Sequence, residues 1–288
     1  MLQSDLGTVV TYNPLVIQSE TSLVALLEQW ADANFHHWPV VNDEQQLLGI
    51  VSERDLVKAV QELAAINPEN TQLGIDELRG RTAGQIMSSQ VISISRWDTQ
   101  TNALFHFLKH RIHSLPVLNE DRLLGLVTTT DFLREFSYGL QGVSRECVSE
   151  FVQDDADPID SDASLEDAAQ AMHTANSEHV GVVSGNLPLG AITQRDVRLA
   201  SCRRDARRLL SADFSLRGPS SVRELAAKSP VIRPGAKLSE AAGLMVEHHR
   251  QAIAVVTQAG RMVGVISEAT ILSAMAGRPL WPVSDRAT

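Results

Sequence analysis

The 288-residue chain carries a formal net charge of −10 and 43% hydrophobic residues. That is ample apolar material for packed cores, and too acidic a surface for general attraction to nucleic acid. No window approaches the roughly eighteen consecutive apolar residues of a membrane span, and the first residues lack the basic and apolar regions of a secretion signal. Two cysteines, Cys147 and Cys202, make neither a disulfide framework nor a four-ligand zinc site, so a cytoplasmic protein without a membrane partner is expected.

In chain order, the first helical stripe is Leu23, Leu26, Leu27 and Trp30, spaced i, i+3, i+4, i+7 as one buried face requires. The apolar run WPVV from Trp38, a polar turn and GIVS from Gly49 then predict a β-hairpin. A second helix follows in RDLVKAVQELAA from Arg54, its early aspartate favoured by the helix dipole. The next unit opens with the strand-like VISIS from Val91, continues with Ala103, Leu104 and Phe107 behind a polar Gln100, and pairs LPVL from Leu115 with GLVT from Gly125. The third has Leu165, Ala168, Ala169 and Met172, then VGVV from Val180 and GAIT from Gly190. The fourth opens with PVIRP from Pro230 and repeats the stripe at Leu238, Ala241, Ala242 and Met245, then IAVV from Ile253 and GVIS from Gly264.

Four ten-residue segments align across these units: LLGIVSERDL from Leu47, LLGLVTTTDF from Leu123, PLGAITQRDV from Pro188 and MVGVISEATI from Met262. The chain therefore reads as an α+β protein of four β-α-β-β-α repeats, at about 14–60, 86–137, 150–202 and 224–276. One such unit is too small to bury both its faces, so neighbours should pair. The expected domains are 1–140 and 141–277, joined within 141–146 where the periodicity lapses, with a tail at 278–288.

On HWPVV from His37 with GIVSERDL from Gly49, and on the matching SLPVL from Ser114 with GLVTTTDF from Gly125, the sequence resembles the cystathionine β-synthase (CBS) domain family. The third copy departs at Gly181, where the proline is missing, and the fourth at Ala254 and Thr270. The resemblance implies two pseudo-symmetric CBS pairs stacked as a flat disc, with clefts that take adenosine-containing ligands such as AMP, ADP, ATP or S-adenosylmethionine. It implies a sensing or regulatory role, such as energy sensing, exerted on a protein effector.

A Ser/Thr-x-x-Asp at a strand end places a hydroxyl and a carboxylate one turn apart at a helix start, where the carboxylate can accept from both hydroxyls of a ribose. The resemblance gives this ribose role to Asp55, Asp131 and Asp196, and sugar or phosphate contacts to Ser52, Thr128 and Thr193. The same residues also form an ordinary helix cap, which is compatible with binding. Phosphates need cations: the first copy offers His36, His37 and Arg54, the second His113, the third His179 and Arg195. The Asp55 and Asp196 sites are thus better equipped than the Asp131 site, and the fourth copy, with Ser267 and Thr270, is degenerate.

No catalytic residue, catalytic cofactor or metal site is expected: there is no Gly-rich phosphate loop or nucleophile elbow, and His106, His110 and His113 lack a completing carboxylate. Arg203, Arg204, Arg207 and Arg208 would make one helix side cationic, balanced by nearby aspartates. The functional expectation is a non-catalytic sensor of an adenine nucleotide, with a homodimer allowed. The alternative is an interaction scaffold with vacant sites.

Overall fold

The computed structural model describes residues 5–32, 36–66, 71–139, 146–154, 156–209 and 221–277. The first part of the chain forms β1 (Thr11–Tyr12), α1 (Leu23–Asp32), β2 (His37–Val41), β3 (Leu47–Ser52), α2 (Glu53–Ile66), α3 (Thr71–Gly80) and α4 (Ala83–Ile86). The second copy contributes β4 (Ile94–Ser95), α5 (Gln100–His110), β5 (Ser114–Asn119), β6 (Arg122–Thr128) and α6 (Thr129–Ser137). The third has β7 (Ile159–Asp160), α7 (Leu165–Thr174), β8 (His179–Ser184), β9 (Leu187–Thr193) and α8 (Gln194–Leu209). The fourth has α9 (Val222–Ala227), β10 (Val231–Ile232), α10 (Leu238–Glu247), β11 (Ala252–Val256), β12 (Met262–Ser267) and α11 (Glu268–Met275).

The α+β architecture and the four hairpins stand where the sequence pattern puts them. The leading strands are shorter than expected: VISIS pairs only through Ile94–Ser95, PVIRP only through Val231–Ile232, and the first copy keeps a single bridge from Ile17 to Val40. Each meets its hairpin in parallel for two residues at most before the chain turns toward a helix. The short helices α4 and α9, of four and six residues, carry too few turns to show a periodicity in sequence.

All four hairpins share one irregularity, a register shift just before the repeated glycine: Val40 faces Gly49, Val117 Gly125, Val182 Gly190 and Val255 Gly264. The reason for the glycine is close approach by another copy's leading segment. A Cβ on Gly49 would lie 2.9 Å from the Ser88 carbonyl, and one on Gly264 would lie 2.4 Å from the Gln153 carbonyl. Gly125 is covered in the same way by Val10 and Thr11, and Gly190 by Ala226 and Ser229. The leading segments are thus exchanged, copy 1 with copy 2 and copy 3 with copy 4. Main-chain bridges confirm the exchange at Ser88 on Ile50 and at Gln153 on Val265, while β1 pairs with β6.

Helices make the other set of contacts. α2 packs on α8, and α6 packs on α10 and α11. The largest core therefore runs from copy 2 into copy 4, through Phe107, Phe132 and Phe136 to Met245, Ile271 and Leu272. Cys202 of α8 is buried in the core of copy 1 beside Trp38 and Leu56. Sheets join copies within each half and helices join the halves, so the starts of α2, α6, α8 and α11 converge near the centre. The segment 141–145, the tail 278–288 and the side chains of Arg203, Arg204, Arg207 and Arg208 lie outside the described residues.

Candidate functional site: the helix starts and the clefts behind them

The repeated segment ends in the same cap in three copies. Ser52 donates to Asp55 Oδ2 from both its backbone N–H and its hydroxyl, at 2.8 and 2.6 Å. Thr128 does so to Asp131 Oδ2 at 2.9 and 2.6 Å, and Thr193 to Asp196 Oδ2 at 2.9 Å for both. This satisfies donors that a helix start leaves open. A further bond recurs in all four copies, where the amide after the cap residue donates to a carbonyl before the hairpin: Glu53 to His36, Thr129 to His113, Gln194 to Glu178 and Glu268 to Gln251.

The second carboxylate oxygen separates the three copies. Arg134 donates to Asp131 Oδ1 at 2.9 Å. Arg250, with a side chain only 8% exposed, donates to Asp196 Oδ1 at 3.0 Å and also to the Leu225 carbonyl. Asp55 Oδ1 has no hydrogen-bond partner among the described residues, the Ser52 bonds both going to Oδ2. Neither arginine was singled out in the sequence. Arg134 sits three residues after its aspartate, a legible i,i+3 pair, whereas Arg250 reaches Asp196 only through the fold.

In the fourth copy a neighbour makes good the lost acid. Gln153, from the leading segment of copy 3, accepts at Oε1 from the hydroxyls of Ser267 and Thr270, at 2.8 and 2.5 Å. Ser267 and Thr270 are buried, 9% and 1% exposed. Beside Gln153 opens a cavity of about 560 Å³, walled by Asp154, Pro158, His179 to Gly181 of β8, and Arg261 to Val265 around β12. Gly181 stands where two other copies have proline, and a Cβ on it would require the Met262 side chain, whose sulfur lies against it, to shift.

The predicted phosphate-binding cations gather near the centre, where two carboxylates hold several of them. Arg195 of α8 crosses to Glu53 of α2, with Nε on Oε1 at 3.0 Å and an Nη on Oε2 at 2.8 Å. His36 Nδ1 lies 2.9 Å from the same Oε2. His113 Nδ1 lies 3.1 Å from Glu268 Oε1, and Arg111 reaches Glu178 at 3.9 Å. Glu53 and Glu268 occupy the same place in their segments, directly after the cap serine. Burial alone would raise the Glu53 carboxyl, but the close His36 contact and the hydrogen bonds and charge of Arg195 hold it well below the usual range. Glu268 is lowered by His113 in the same way, and His113 in turn is raised, the Glu268 charge outweighing burial. Burial and then the charges of His113, His36 and Arg195 push His37 down to about 3, so it is neutral. Arg54 is exposed, and His179 is buried beside the cavity.

His106 and His110 stack at 5.6 Å, but His113 turns to Glu268 instead of joining them. Among the described residues no group of three or more His, Cys, Asp and Glu could hold a metal ion, and no helix is long and apolar enough to cross a membrane.

Comparison with known proteins agrees with this architecture. The CBS domain profile matches four stretches, residues 6–62, 83–138, 148–202 and 222–277. Protein MJ1225 from Methanocaldococcus jannaschii is 25% identical over 196 residues, a stretch covering 64% of this chain and 65% of that protein. Its crystal structure superposes with a TM-score of 0.70 at 20% identity, over 94% of this chain and 99% of that one. A conserved protein from Pyrococcus horikoshii superposes at 0.60 and 18% identity, over 94% and 100% of the two chains. A CBS domain-containing protein of Dictyostelium discoideum is 30% identical over 118 residues, 41% of this chain and 80% of that protein. With four matches spanning most of its length, the chain belongs to the CBS domain family.

Proposed function

We propose that the chain is a non-catalytic regulatory protein. It binds an adenosine-containing ligand in the clefts between paired copies, and binding alters its affinity for a protein effector. The observation that carries this reading is the cavity of about 560 Å³ formed jointly by the third and fourth copies, of the size that small-molecule sites have. The first pair offers the complementary feature, the available Oδ1 of Asp55 next to the capped Ser52. AMP, ADP, ATP and S-adenosylmethionine are the candidates. A ligand alters the protein only by favouring one arrangement of its parts, and the ion pairs between the halves are what such a change would strain.

A second reading, an interaction scaffold with vacant sites, draws support from Asp131 and Asp196, whose carboxylates are satisfied internally by Arg134 and Arg250. Isothermal titration with the four candidates separates the two. Asp55→Asn keeps a cap acceptor for Ser52 but replaces the outward acceptor with a donor, so ligand affinity should fall about tenfold or more, the equivalent of roughly 1.4 kcal/mol. Absence of binding by all four candidates to folded protein favours the scaffold.

A further inference from the structure

The helices α5, α7 and α10 lead into their hairpins through the same turn. Arg111, Asn176 and His249 take the left-handed conformation there, with φ of 51°, 50° and 53°. In copies 3 and 4 the amide of the next residue returns to the helix, Ser177 to the Met172 carbonyl at 2.9 Å and Arg250 to the Met245 carbonyl at 2.8 Å, the closing bond of a Schellman turn. The turn thereby fixes the backbone of the residue after it, which is Ile112 in copy 2, Ser177 in copy 3 and Arg250 in copy 4. The matching position of copy 1, Phe35, lies outside the described residues.

Of these three only Arg250 carries a charge, and its side chain crosses to copy 3. One guanidinium nitrogen donates to Asp196 Oδ1 at 3.0 Å and another to the Leu225 carbonyl of α9 at 2.7 Å. α9 belongs to the leading segment of copy 4, whose Ala226 and Ser229 cover Gly190. Arg250 therefore spans the cleft between that segment and the start of α8, where a ligand of Asp196 would have to lie. Its side chain is 8% exposed and held at two points, whereas Arg134, which bonds Asp131 from the same helix, is 48% exposed. Arg134 can swing into water; displacing Arg250 would strand a desolvated cation.

The pseudo-symmetry of the halves relates this cleft to the one over Asp55, where Ser88 covers Gly49. There the residue at the place of Arg250 is Ile112, which packs against the core of copies 2 and 4 and has no donor to offer a carboxylate. One position in one turn thus separates the two clefts.

We infer that Arg250 is a built-in occupant of the Asp196 cleft. Its guanidinium takes the carboxylate oxygen and the space that a ribose diol needs, so this cleft is closed to adenosyl ligands in the native chain and a single substitution opens it. The inference rests on the adenosyl reading above for its choice of ligand.

The test is a count of bound adenosine by equilibrium dialysis of the full-length protein against labelled adenosine, for the native chain and for Arg250→Ile, which places in this turn the residue that copy 2 carries. The expected result is one further mole of adenosine per mole of Arg250→Ile, lost again when Asp196→Asn is added. A purely structural role for Arg250 would lower stability without adding a site. Folded Arg250→Ile that binds no more adenosine than a binding-competent native chain overturns the inference and leaves the adenosyl reading intact. A native chain that binds none beside an Arg250→Ile variant that binds one refutes the adenosyl reading of the native clefts and supports the inference; if neither binds, both fall. Should Arg250→Ile not fold, Asp196→Asn alone decides: the native count should persist, and loss of one bound adenosine overturns the inference.

Discussion

Replacing Arg195 by leucine tests whether the central ion pairs couple the halves. In the native chain Glu53, with a side chain 9% exposed, receives both bonds of the Arg195 fork, and Arg195 itself is 22% exposed. Removing one partner of such a pair leaves a desolvated carboxylate, a change that commonly costs 3–5 kcal/mol. His36, 2.9 Å away, can take up part of the charge, and the partial exposure of Arg195 screens the rest, so about 3 kcal/mol is expected. At roughly 2–4 °C per kcal/mol for a chain of this order of size, the melting temperature should drop by about 6–12 °C. Urea and thermal unfolding, followed by circular dichroism, measure it. The informative comparison is with Glu53→Leu and the double variant, since removing both charges should recover most of the loss. A double variant as unstable as Arg195→Leu, or a single variant within about 0.5 kcal/mol of native, would show that the pair does not join the halves as argued.

The His113 contact gives a pH dependence with a definite sign. Its pKa is raised above the usual 6.5 by Glu268, so its stabilising contribution is complete below the unfolded value and lost as pH rises through the folded one. His113 is 48% exposed, so the effect should stay under about 1 kcal/mol; the stability gap between native protein and His113→Asn should close as pH rises above the ordinary histidine value of 6.5, and a constant gap refutes the pairing. Gly264→Ala would drive a Cβ to 2.4 Å from the Gln153 carbonyl at a positive φ of 143°. It should cost about 2 kcal/mol or more in urea unfolding, whereas Gly235→Ala, with open space around it, serves as a tolerated control. Phe136→Ala, at a fully buried position in the core shared by copies 2 and 4, should cost about 3–5 kcal/mol, and a loss below 1 kcal/mol would contradict that shared core.

Local pattern was enough to reveal the repeat, because both of its signals are periodic: helical stripes such as Leu23, Leu26, Leu27 and Trp30, and hairpins split by a polar turn. The cap was legible too, since Ser52 and Asp55 lie three residues apart and their bond is made within one turn. The glycines announced themselves by recurrence, but their cause did not. Gly49 is glycine because Ser88 passes over it, and Gly264 because Gln153 does, a contact no local pattern encodes.

The chemistry of the site was the least legible part. Arg195 reads from sequence as a free phosphate ligand and Glu53 as a first-turn acid, yet 142 residues of separation close into a bidentate pair. Arg250 reaches Asp196 across 54 residues, and Gln153 reaches Thr270 across 117. The sequence by itself determined the repeat, its α+β elements and the self-contained caps, because these depend on neighbours a few residues away. Which acids stay available, which cations are already neutralised, and where a cavity opens were decided by tertiary structure alone. Charge pairing and desolvation depend on distance in space, and the order of residues along the chain does not set that distance.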